Sequence, residues 1–433
     1  MGESEGRGLL ATSISSSLET GRSVGSGQTV PTPKLAPDVV LGSKDLHQKR
    51  SLDAVSTEAL RTGMRRVHIL AWRDLDDPEA GGSELHAHRI ASRWAEAGLQ
   101  VTLCASAAAG RPGNAWRDGY RVVRKAGRYG VFPRTAVDEF LGRQGRRDGL
   151  VEIWNGMPFF SPIWTSAPLV VFLHHVHAEM WKMALPNHLA ALGELLEQRV
   201  APRIYRRRQV VTLSPSSRAE IISLLGLEPE RVSVVPPGVD QRFSPAGQRS
   251  VEPLVVAVGR LVPVKRFDLL IDQLVKVHSE MPNLKAVIVG EGYERPRLEA
   301  LIRSANAGSW LTLPGHLEDA ELVQLYRRAW VLASSSLREG WGMTITEAAA
   351  CGTPAVVTRI AGHVDAIDSG KSGILVDGPR DLGGALLGVL RDDLLRARLR
   401  EGGIEHVRAL TWDATASGTL QALLDEAARR RKI

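Results

Sequence analysis

The sequence predicts an α/β fold in which two doubly wound domains face a central cleft. Length is the first observation, because hydrophobic cores stop growing at roughly 250–300 residues and this chain has 433. Composition is the second, since 43% hydrophobic and 24% charged residues are typical of a globular chain. The third is the alternation of apolar strands with helical segments, the pattern of a parallel sheet covered on both faces.

The first alternating series follows a Ser- and Gly-rich segment that has neither a strand nor a helix period. We predict that residues 1–63 form a disordered extension and that the first domain spans residues 64–245. Met64 is a candidate start of translation because it directly precedes a basic pair and the first strand. The predicted strands of this domain are Val67–Ala71, Val101–Cys104, Leu169–Leu173 and Val210–Leu213.

A second series follows the helix-breaking stretch Val-Val-Pro-Pro-Gly-Val-Asp, which suits a hinge. We predict a second Rossmann-like domain over residues 246–410, and a C-terminal helix over residues 411–433 that packs back on the first domain. Ligands of such sheets bind beyond the carboxyl ends of the strands, so the site is expected in the cleft. The predicted strands are Leu254–Val258, Ala286–Val289, Val331–Ala333, Ala355–Thr358 and Ile374–Val376.

Charge and cysteine content narrow the functional class. Cys104 and Cys351 lie far apart in apolar runs, so we expect a reducing, cytoplasmic setting rather than a disulfide framework. A net charge of +7 indicates an anionic partner. Nucleic acid is disfavoured because no RRM, KH or zinc-finger signature is present, whereas peripheral association with the anionic inner face of a membrane is a hypothesis. The basic clusters are Arg117, Arg121, Arg124, Lys125 and Arg128, and Arg199, Arg203, Arg206, Arg207 and Arg208.

Two segments of the second domain carry the candidate chemistry. Arg260 follows a strand and Lys265 precedes a helix, where fixed cations would stabilise a leaving group that gains negative charge, although solvated surface charges are the alternative. Glu339 and Glu347 flank a glycine-containing turn that leads into a helix, a place that favours anions. Thr344 and Glu347 also fit a capping box, which would make Glu347 structural.

A histidine cluster ends a strand of the first domain. It comprises His174, His175 and His177, and His86 and His88 are also available. These side chains suit hydrogen bonding to a substrate, metal ligation or a structural role.

Several segments resemble, in order and spacing, the donor-binding half of the GT-B retaining glycosyltransferases of family 4. The likeness reaches back to Gly81-Gly82 and Pro237-Gly-Val-Asp240, so it covers nearly everything after Met64. The segments are Val258-Gly-Arg-Leu-Val-Pro-Val-Lys265, Val289-Gly-Glu-Gly292, Pro314-Gly-His-Leu317, Glu339 through Glu347, Ala350-Cys-Gly-Thr-Pro354 and Ser372-Gly-Ile-Leu-Val376.

The resemblance implies a role for each matching residue. Arg260 and Lys265 match the diphosphate-binding pair of the family and are counted, with His174 and Glu339, as catalytic. Glu347 matches its ribose-binding carboxylate, and Glu339 the carboxylate near the donor sugar. His174 matches a histidine near the reacting sugar.

The remaining implied contacts are to the donor. The backbone around Gly342, Met343 and Thr344 matches the cradle for sugar and phosphate. Leu317 lies where the nucleotide base usually rests, and Gly82 matches the loop glycine that approaches the phosphates. Two positions depart from the family pattern: Pro237 stands where Asn is common, and Arg266 where Gly is common.

The predicted function is therefore retaining transfer of a hexose from a UDP- or GDP-linked donor to an unidentified acceptor, with a lipid-linked or cell-envelope intermediate as one candidate. The resemblance implies no cofactor and metal-independent transfer. A sugar-nucleotide hydrolase or epimerase on the same scaffold, and a non-catalytic sugar-nucleotide binding protein, are the alternatives. A dinucleotide-dependent oxidoreductase is disfavoured because the Gly-x-Gly-x-x-Gly fingerprint is missing after the first strand.

Overall fold

The computed structural model describes residues 50–184 and 186–431, and its strands form two sheets. The strands of the first sheet are β1 Arg66–Leu70, β2 Gln100–Ala105, β3 Asn114–Arg117, β4 Tyr120–Arg124, β5 Gly149–Trp154, β6 Leu169–Leu173, β7 Gln209–Thr212 and β8 Val232–Val234. Those of the second are β9 Leu254–Val258, β10 Lys285–Val289, β11 Leu311–Gly315, β12 Val331–Ser334, β13 Ala355–Thr358 and β14 Gly373–Val376.

Helices connect these strands. Those up to the end of the first sheet are α1 Leu52–Arg61, α2 Gly82–Glu96, α3 Val131–Phe140, α4 Ser161–Trp164, α5 Met180–Ala184, α6 Asn187–Leu195, α7 Ala201–Tyr205 and α8 Pro215–Leu225. The others are α9 Phe267–Glu280, α10 Arg295–Ser304, α11 Asp319–Arg328, α12 Met343–Ala350, α13 His363–Ala366, α14 Leu382–Arg391, α15 Asp393–Val407 and α16 Trp412–Arg431. Within the described ranges, no helix has both the length and the apolar content that crossing a membrane requires.

The two sheets have the order of doubly wound folds. The first runs β3-β4-β2-β1-β5-β6-β7-β8 and the second β11-β10-β9-β12-β13-β14. Pairing is parallel throughout except for the antiparallel hairpin of β3 and β4. The order reverses between β1 and β5 and again between β9 and β12, and such switch points open a crevice at the carboxyl ends of the strands. The predicted α/β fold class with two Rossmann-like domains is confirmed.

Two backbone segments pass from one sheet to the other, one around Gly238 and one around Thr411, and they pack side by side. The amide of Val239 donates to the carbonyl of Leu410 over 3.0 Å, and the Thr415 hydroxyl donates to the carbonyl of Pro236 over 2.8 Å. A Cβ placed on Gly238 would lie 2.2 Å from the backbone nitrogen of Trp412, so only glycine permits this approach. The hinge is therefore a close contact between two backbone segments.

Helix α16 returns to the first domain after the second crossing. It packs against α1, α2 and the strands β5, β6 and β7. The indole nitrogen of Trp94 donates to the carbonyl of Ala416 over 2.9 Å, and Leu423 lies against Gly149. The chain thus ends on the domain in which its described part begins.

Helix α1 contradicts part of the prediction that residues 1–63 are disordered. Leu52, Val55 and Ala59 recur at helical spacing, and Val55 and Ala59 are fully buried against α16. Ser51 caps the helix by accepting a hydrogen bond from the amide of Ala54. The apolar stripe has only three residues and follows a long Ser- and Gly-rich stretch, so the sequence pattern alone did not indicate a helix. Residues 1–49 lie outside the described part of the chain.

This packing predicts that a chain starting at Met64 is less stable than one starting at Arg50. Removing α1 exposes the apolar surface that it covers on α16, and burial of one valine alone is worth about 1.5–3 kcal/mol. In the full chain, Val55→Asp should lower the thermal midpoint, whereas Thr57→Asp, on the exposed side of the same helix, should leave it nearly unchanged. Equal midpoints for both variants and both truncations would show that α1 contributes nothing to the fold.

Candidate active site

The candidate site lies at the switch point of the second sheet. Arg260 follows β9, and the loop that carries Glu339 follows β12, the neighbouring strand. The turn Pro263–Lys265 is fastened to that loop, because the amide of Leu337 donates to the carbonyl of Val264 over 2.8 Å. The fold therefore brings Arg260, Lys265 and Glu339 to one edge of the sheet.

Lys265 and Glu339 form an ion pair at this edge. The Ser336 hydroxyl also donates to Oε1 of Glu339, over 2.9 Å. Burial by itself raises the pKa of Glu339, but the neighbouring Lys265 ammonium holds that pKa below its usual value. Glu339 is therefore an ionised carboxylate at neutral pH, in contact with the one lysine at the base of this loop.

Arg260 is exposed and forms no ion pair with a described carboxylate. A Cβ placed on Gly81 would lie 3.8 Å from Nε of Arg260, and one placed on Gly82 would lie 3.1 Å from Sδ of Met343. The glycine loop of the first domain thus faces Arg260 and the start of α12 across the cleft. A guanidinium in this position is free to bind an anion there.

Helix α12 begins beside these charges without a side-chain cap. Its N-cap is Gly342, which has φ 97°, in the left-handed region that glycine adopts without strain. Met343 and Thr344 are its first two residues, so their amides lack partners from a preceding turn. The capping box suggested for Thr344 and Glu347 is wrong, because the helix starts earlier and Glu347 lies inside it.

Glu347 instead contacts Tyr326 of α11. The Tyr326 hydroxyl donates to Oε2 of Glu347 over 3.3 Å. Burial raises the pKa of Glu347 to about 7, and the bond from Tyr326 offsets only part of that effect. This carboxyl group therefore changes charge near neutral pH.

Leu317 is half-buried just beyond the edge strand β11, two strands away from β9.

His174 lies on the first-domain side, at the end of β6. Burial lowers its pKa to about 4, so its ring is neutral at neutral pH. Neither ring nitrogen has a hydrogen-bond partner in the described structure, and the same holds for His86, whose ring centroid lies 5.1 Å away. A neutral imidazole can donate one hydrogen bond and accept another.

The other histidines have separate surroundings. His177 stacks on His175 with ring centroids 4.8 Å apart, while His88 contacts Asp74 and the hydroxyl of Tyr120. Across residues 50–184 and 186–431, no three His, Cys, Asp or Glu side chains are grouped as ligands for a metal ion.

The two domains are in direct contact next to Glu339. A Cβ placed on Gly340 would lie 2.6 Å from the carbonyl oxygen of His174. The Ser217 hydroxyl donates to the carbonyl of Gly340 over 3.2 Å, and Ser216 bonds to Asp365. The loop of Glu339 is thus fitted directly against the strand end of His174.

Sequence reasoning missed Ser336, Tyr326 and His363. His363 is buried, its Nδ1 bonds to the carbonyl of Thr358 over 2.8 Å, and burial lowers its pKa to about 4. Tyr326 lies on a helix that the predicted site did not include. A serine after a strand and a tyrosine on an amphipathic helix carry no distinctive signal, so only the tertiary fold identifies them.

One departure from the family pattern has a visible consequence. Arg266 has φ 49°, which is the left-handed region, and it forms the N-cap of α9. Glycine adopts this conformation without the steric cost that a Cβ carries. The Arg266 side chain is held by Asp268, whose Oδ1 accepts from Nε over 3.0 Å. Pro237 lies in the hinge and contributes no described contact to the site.

The first basic cluster is not an open anion site, contrary to the expectation from charge alone. Arg124 is buried and donates to Asp74 over 2.5 Å and to Asp76 over 2.9 Å. The remaining members bond to other partners: Arg117 to Asp76, Arg121 to Gln144, Lys125 to Asp138 and Arg128 to Glu79. Arg117, Arg124 and Arg128 thus hold the loop between β1 and α2, which ends at Gly81. Arg121 and Lys125 bond to residues in and after α3, so none of the five faces a ligand.

Two adjoining parts of the chain match known families. Residues 80–243 match the family described as Glycosyltransferase Family 4, and residues 240–406 match the family described as Glycosyl transferases group 1. A D-inositol 3-phosphate glycosyltransferase of Acidothermus cellulolyticus is 34% identical over 244 residues, which are 52% of this chain and 54% of the relative. One of Thermobifida fusca is 28% identical over 414 residues, covering 85% of this chain and 95% of the relative.

Solved structures share the fold. Sucrose-phosphate synthase from Thermosynechococcus elongatus superposes with a TM-score of 0.73 at 21% identity, covering 84% of this chain and all of that one. The Anabaena protein HepE, in complex with UDP-glucose, superposes with a TM-score of 0.65 at 18% identity, covering 83% of this chain and 99% of that one.

Proposed function

We propose that this chain, which belongs to the group 1, family 4 glycosyltransferases of the GT-B fold, transfers a hexose from a nucleotide-diphosphate sugar to a phosphorylated acceptor. In the proposed reaction the hexose retains its anomeric configuration. One observation carries the proposal. Arg260 and Lys265 stand at the switch point of the second sheet, beside the uncapped start of α12 and opposite the Gly81-Gly82 loop.

Arg260 and Lys265 are proposed to bind the diphosphate. Negative charge grows on this group as the bond to the sugar breaks, so fixed cations stabilise the transition state more than the bound substrate. The amides of Met343 and Thr344 add donors at the positive end of a helix. The helix backbone holds these two amides in place before the reaction begins, which avoids their reorganisation when the charge develops.

The Lys265–Glu339 pair connects donor binding to sugar binding. A diphosphate that contacts Lys265 competes with Glu339 for the same ammonium group. Glu339 then has free carboxylate oxygens, which can accept hydrogen bonds from hydroxyl groups of the hexose. This exchange accounts for a carboxylate that is only partly exposed, ionised and adjacent to the proposed diphosphate cations.

We propose a front-face reaction without a covalent enzyme intermediate. The bond between the anomeric carbon and the diphosphate oxygen breaks, the acceptor oxygen bonds to that carbon from the same face, and the acceptor proton passes to the leaving phosphate. We propose that His174, whose neutral ring has two nitrogens without hydrogen-bond partners, bonds a sugar hydroxyl without adding positive charge beside an oxocarbenium-like centre. The scheme uses no cofactor and no metal ion.

The comparisons suggest which substrates to test first. HepE was crystallised with UDP-glucose, and the relatives are named for D-inositol 3-phosphate, so UDP-hexoses and GDP-hexoses as donors and this phosphorylated polyol as acceptor are the first choices. Cys104 and Cys351 are both free and buried, which supports a cytoplasmic location.

We expect Lys265→Ala to lower kcat/KM for transfer by at least about a hundredfold, because a diphosphate cation is lost. That variant also leaves the partly buried Glu339 without its partner. The matched control is therefore Lys265→Met combined with Glu339→Gln, which removes both charges at similar volume; its thermal midpoint should recover while transfer remains lost. Mass spectrometry of the product, NMR of its anomeric carbon and a free-hexose assay measure the outcome. Unchanged transfer in Lys265→Ala would remove its role, and free hexose without transfer would indicate a hydrolase.

The raised pKa of Glu347 predicts that donor binding depends on pH. The proposed ribose contact requires the ionised carboxylate, and its pKa is about 7. Affinity for UDP-glucose should therefore rise by roughly tenfold from one unit below that pKa to one unit above it. UDP-glucose is preferred to UDP, whose terminal phosphate titrates in this range.

Calorimetry of Glu347→Gln checks this dependence. The variant should bind more weakly at high pH and lose most of the pH dependence, whereas Glu405→Gln, an exposed change on α15, should follow the unmodified chain. A Glu347→Gln profile that matches the unmodified chain would separate Glu347 from the ribose.

A further inference from the structure

An exposed surface that combines apolar and cationic side chains lies on α5, α6 and the residues up to 207. We call it the apolar-cationic rim. Its large apolar members are 40–50% exposed, although side chains of this size are usually buried in a folded domain. The rim comprises Met183, Leu189, Leu192, Leu195, Arg199, Arg203, Arg206 and Arg207.

The apolar members form a stripe. Leu189, Leu192 and Leu195 are spaced three residues apart on α6, so they occupy neighbouring positions on the helix surface, and Met183 lies on the preceding helix. The charged residues follow directly in the chain. The rim therefore has an apolar half and a cationic half.

The arginines of the rim are not neutralised by the protein. Arg199, Arg203, Arg206 and Arg207 are exposed, and none forms an ion pair with a carboxylate of the described residues. The arginines near residue 120 behave differently, since they bond to side chains of their own domain. The acidic residues of the rim segment offer no competing charge, because Glu194 pairs with Lys182 and Glu197 is fully buried.

Glu197 connects the rim to the candidate site. It lies in the π-helical turn Leu196–Val200 and accepts hydrogen bonds from the amides of His177 and Ala178, over 2.8 and 3.1 Å, and from the indole of Trp181 over 3.0 Å. His177 is three residues after His174. Helix α5 also lies next to the turn Pro263–Lys265 of the second domain. The rim thus borders the mouth of the cleft.

We propose that the apolar-cationic rim docks on an anionic phospholipid bilayer. Arginines bind lipid phosphates while the leucine and methionine side chains enter the headgroup and acyl boundary, which is how interfacial helices combine charge with apolar area. A second copy of the chain fits the rim less well, because a two-fold contact would oppose its unpaired arginines. Docking is independent of the proposed reaction, because it is argued from the exposed side chains of the rim alone.

Co-sedimentation of the full chain with vesicles tests docking. The chain should sediment with vesicles of equimolar phosphatidylcholine and phosphatidylglycerol, but not with phosphatidylcholine alone, and salt should release it. Arg199→Gln with Arg203→Gln should lower the partition coefficient by at least about tenfold. Leu189→Gln with Leu192→Gln should lower it too, since both halves of the rim contribute.

A matched control removes the same number of charges elsewhere. Arg303→Gln with Arg398→Gln changes exposed residues of the second domain and should sediment like the unmodified chain. Equal partition of the two arginine variants, or no sedimentation of the unmodified chain with anionic vesicles, would overturn docking through the rim. A dimer that the leucine variant abolishes, with vesicle binding unchanged, would assign the rim to a second copy instead.

Calorimetry of UDP-glucose binding in the absence of vesicles tests the proposed function separately from membrane docking. Both rim variants should bind the donor like the unmodified chain. Donor binding with no vesicle binding therefore rejects docking alone, and vesicle binding with no donor binding rejects the proposed function alone.

Discussion

Lys265 and Glu339 place opposite charges side by side where the strand order of the second sheet reverses. An ionised carboxylate is costly to bury unless a cation compensates it, and removal of one partner leaves the other uncompensated. Lys265 supplies that compensation, Ser336 adds a hydrogen bond, and the amide of Leu337 fixes the lysine turn to the glutamate loop. In the proposed reaction the same pair would supply a cation for the diphosphate and a carboxylate for the sugar, so that proposal depends on this contact.

Contacts between the two domains place the Lys265–Glu339 pair next to the first domain. Gly340, next to Glu339, lies so close to the carbonyl of His174 that a larger residue would separate the two surfaces. Ser217 and Ser216 extend the contact to the backbone of Gly340 and to Asp365. A change in the angle between the domains would therefore move His174 relative to Glu339. The close backbone contact at the Gly238 hinge restricts how the two domains can rotate relative to each other.

Much of the fold could be predicted from the sequence, because most of its parallel strands are short, continuous apolar runs. The strands that escaped prediction contain or adjoin residues that break this pattern. Strand β5 includes Glu152, which is fully buried and accepts hydrogen bonds from the amide of Phe159 and the hydroxyl of Tyr205. In β4, Arg124 is buried against Asp74. A charge in a strand suggests exposure until its partner, distant in sequence, is known. The edge strands β3, β8 and β11 are short or contain proline.

The candidate site, like the fold, could be predicted from the sequence only in part. Arg260, Lys265, Glu339 and Gly342 lie in motifs close to strand ends, so the sequence predicted that they would meet. The neutral state of His174 and the raised pKa of Glu347 could not be predicted, because both arise from burial by residues far away in the chain. Net charge was also misleading. It combined arginines that hold a loop with arginines that face solvent, and only the structure separates the two groups.

A crystal structure of the chain with an intact nucleotide-diphosphate hexose would show whether Lys265 exchanges Glu339 for the donor. We expect the diphosphate to contact Arg260 and Lys265 near the amides of Met343 and Thr344. We also expect Glu339 to have turned from the lysine toward the hexose. A diphosphate bound elsewhere, or a Lys265–Glu339 pair left intact beside a bound donor, would contradict this expectation.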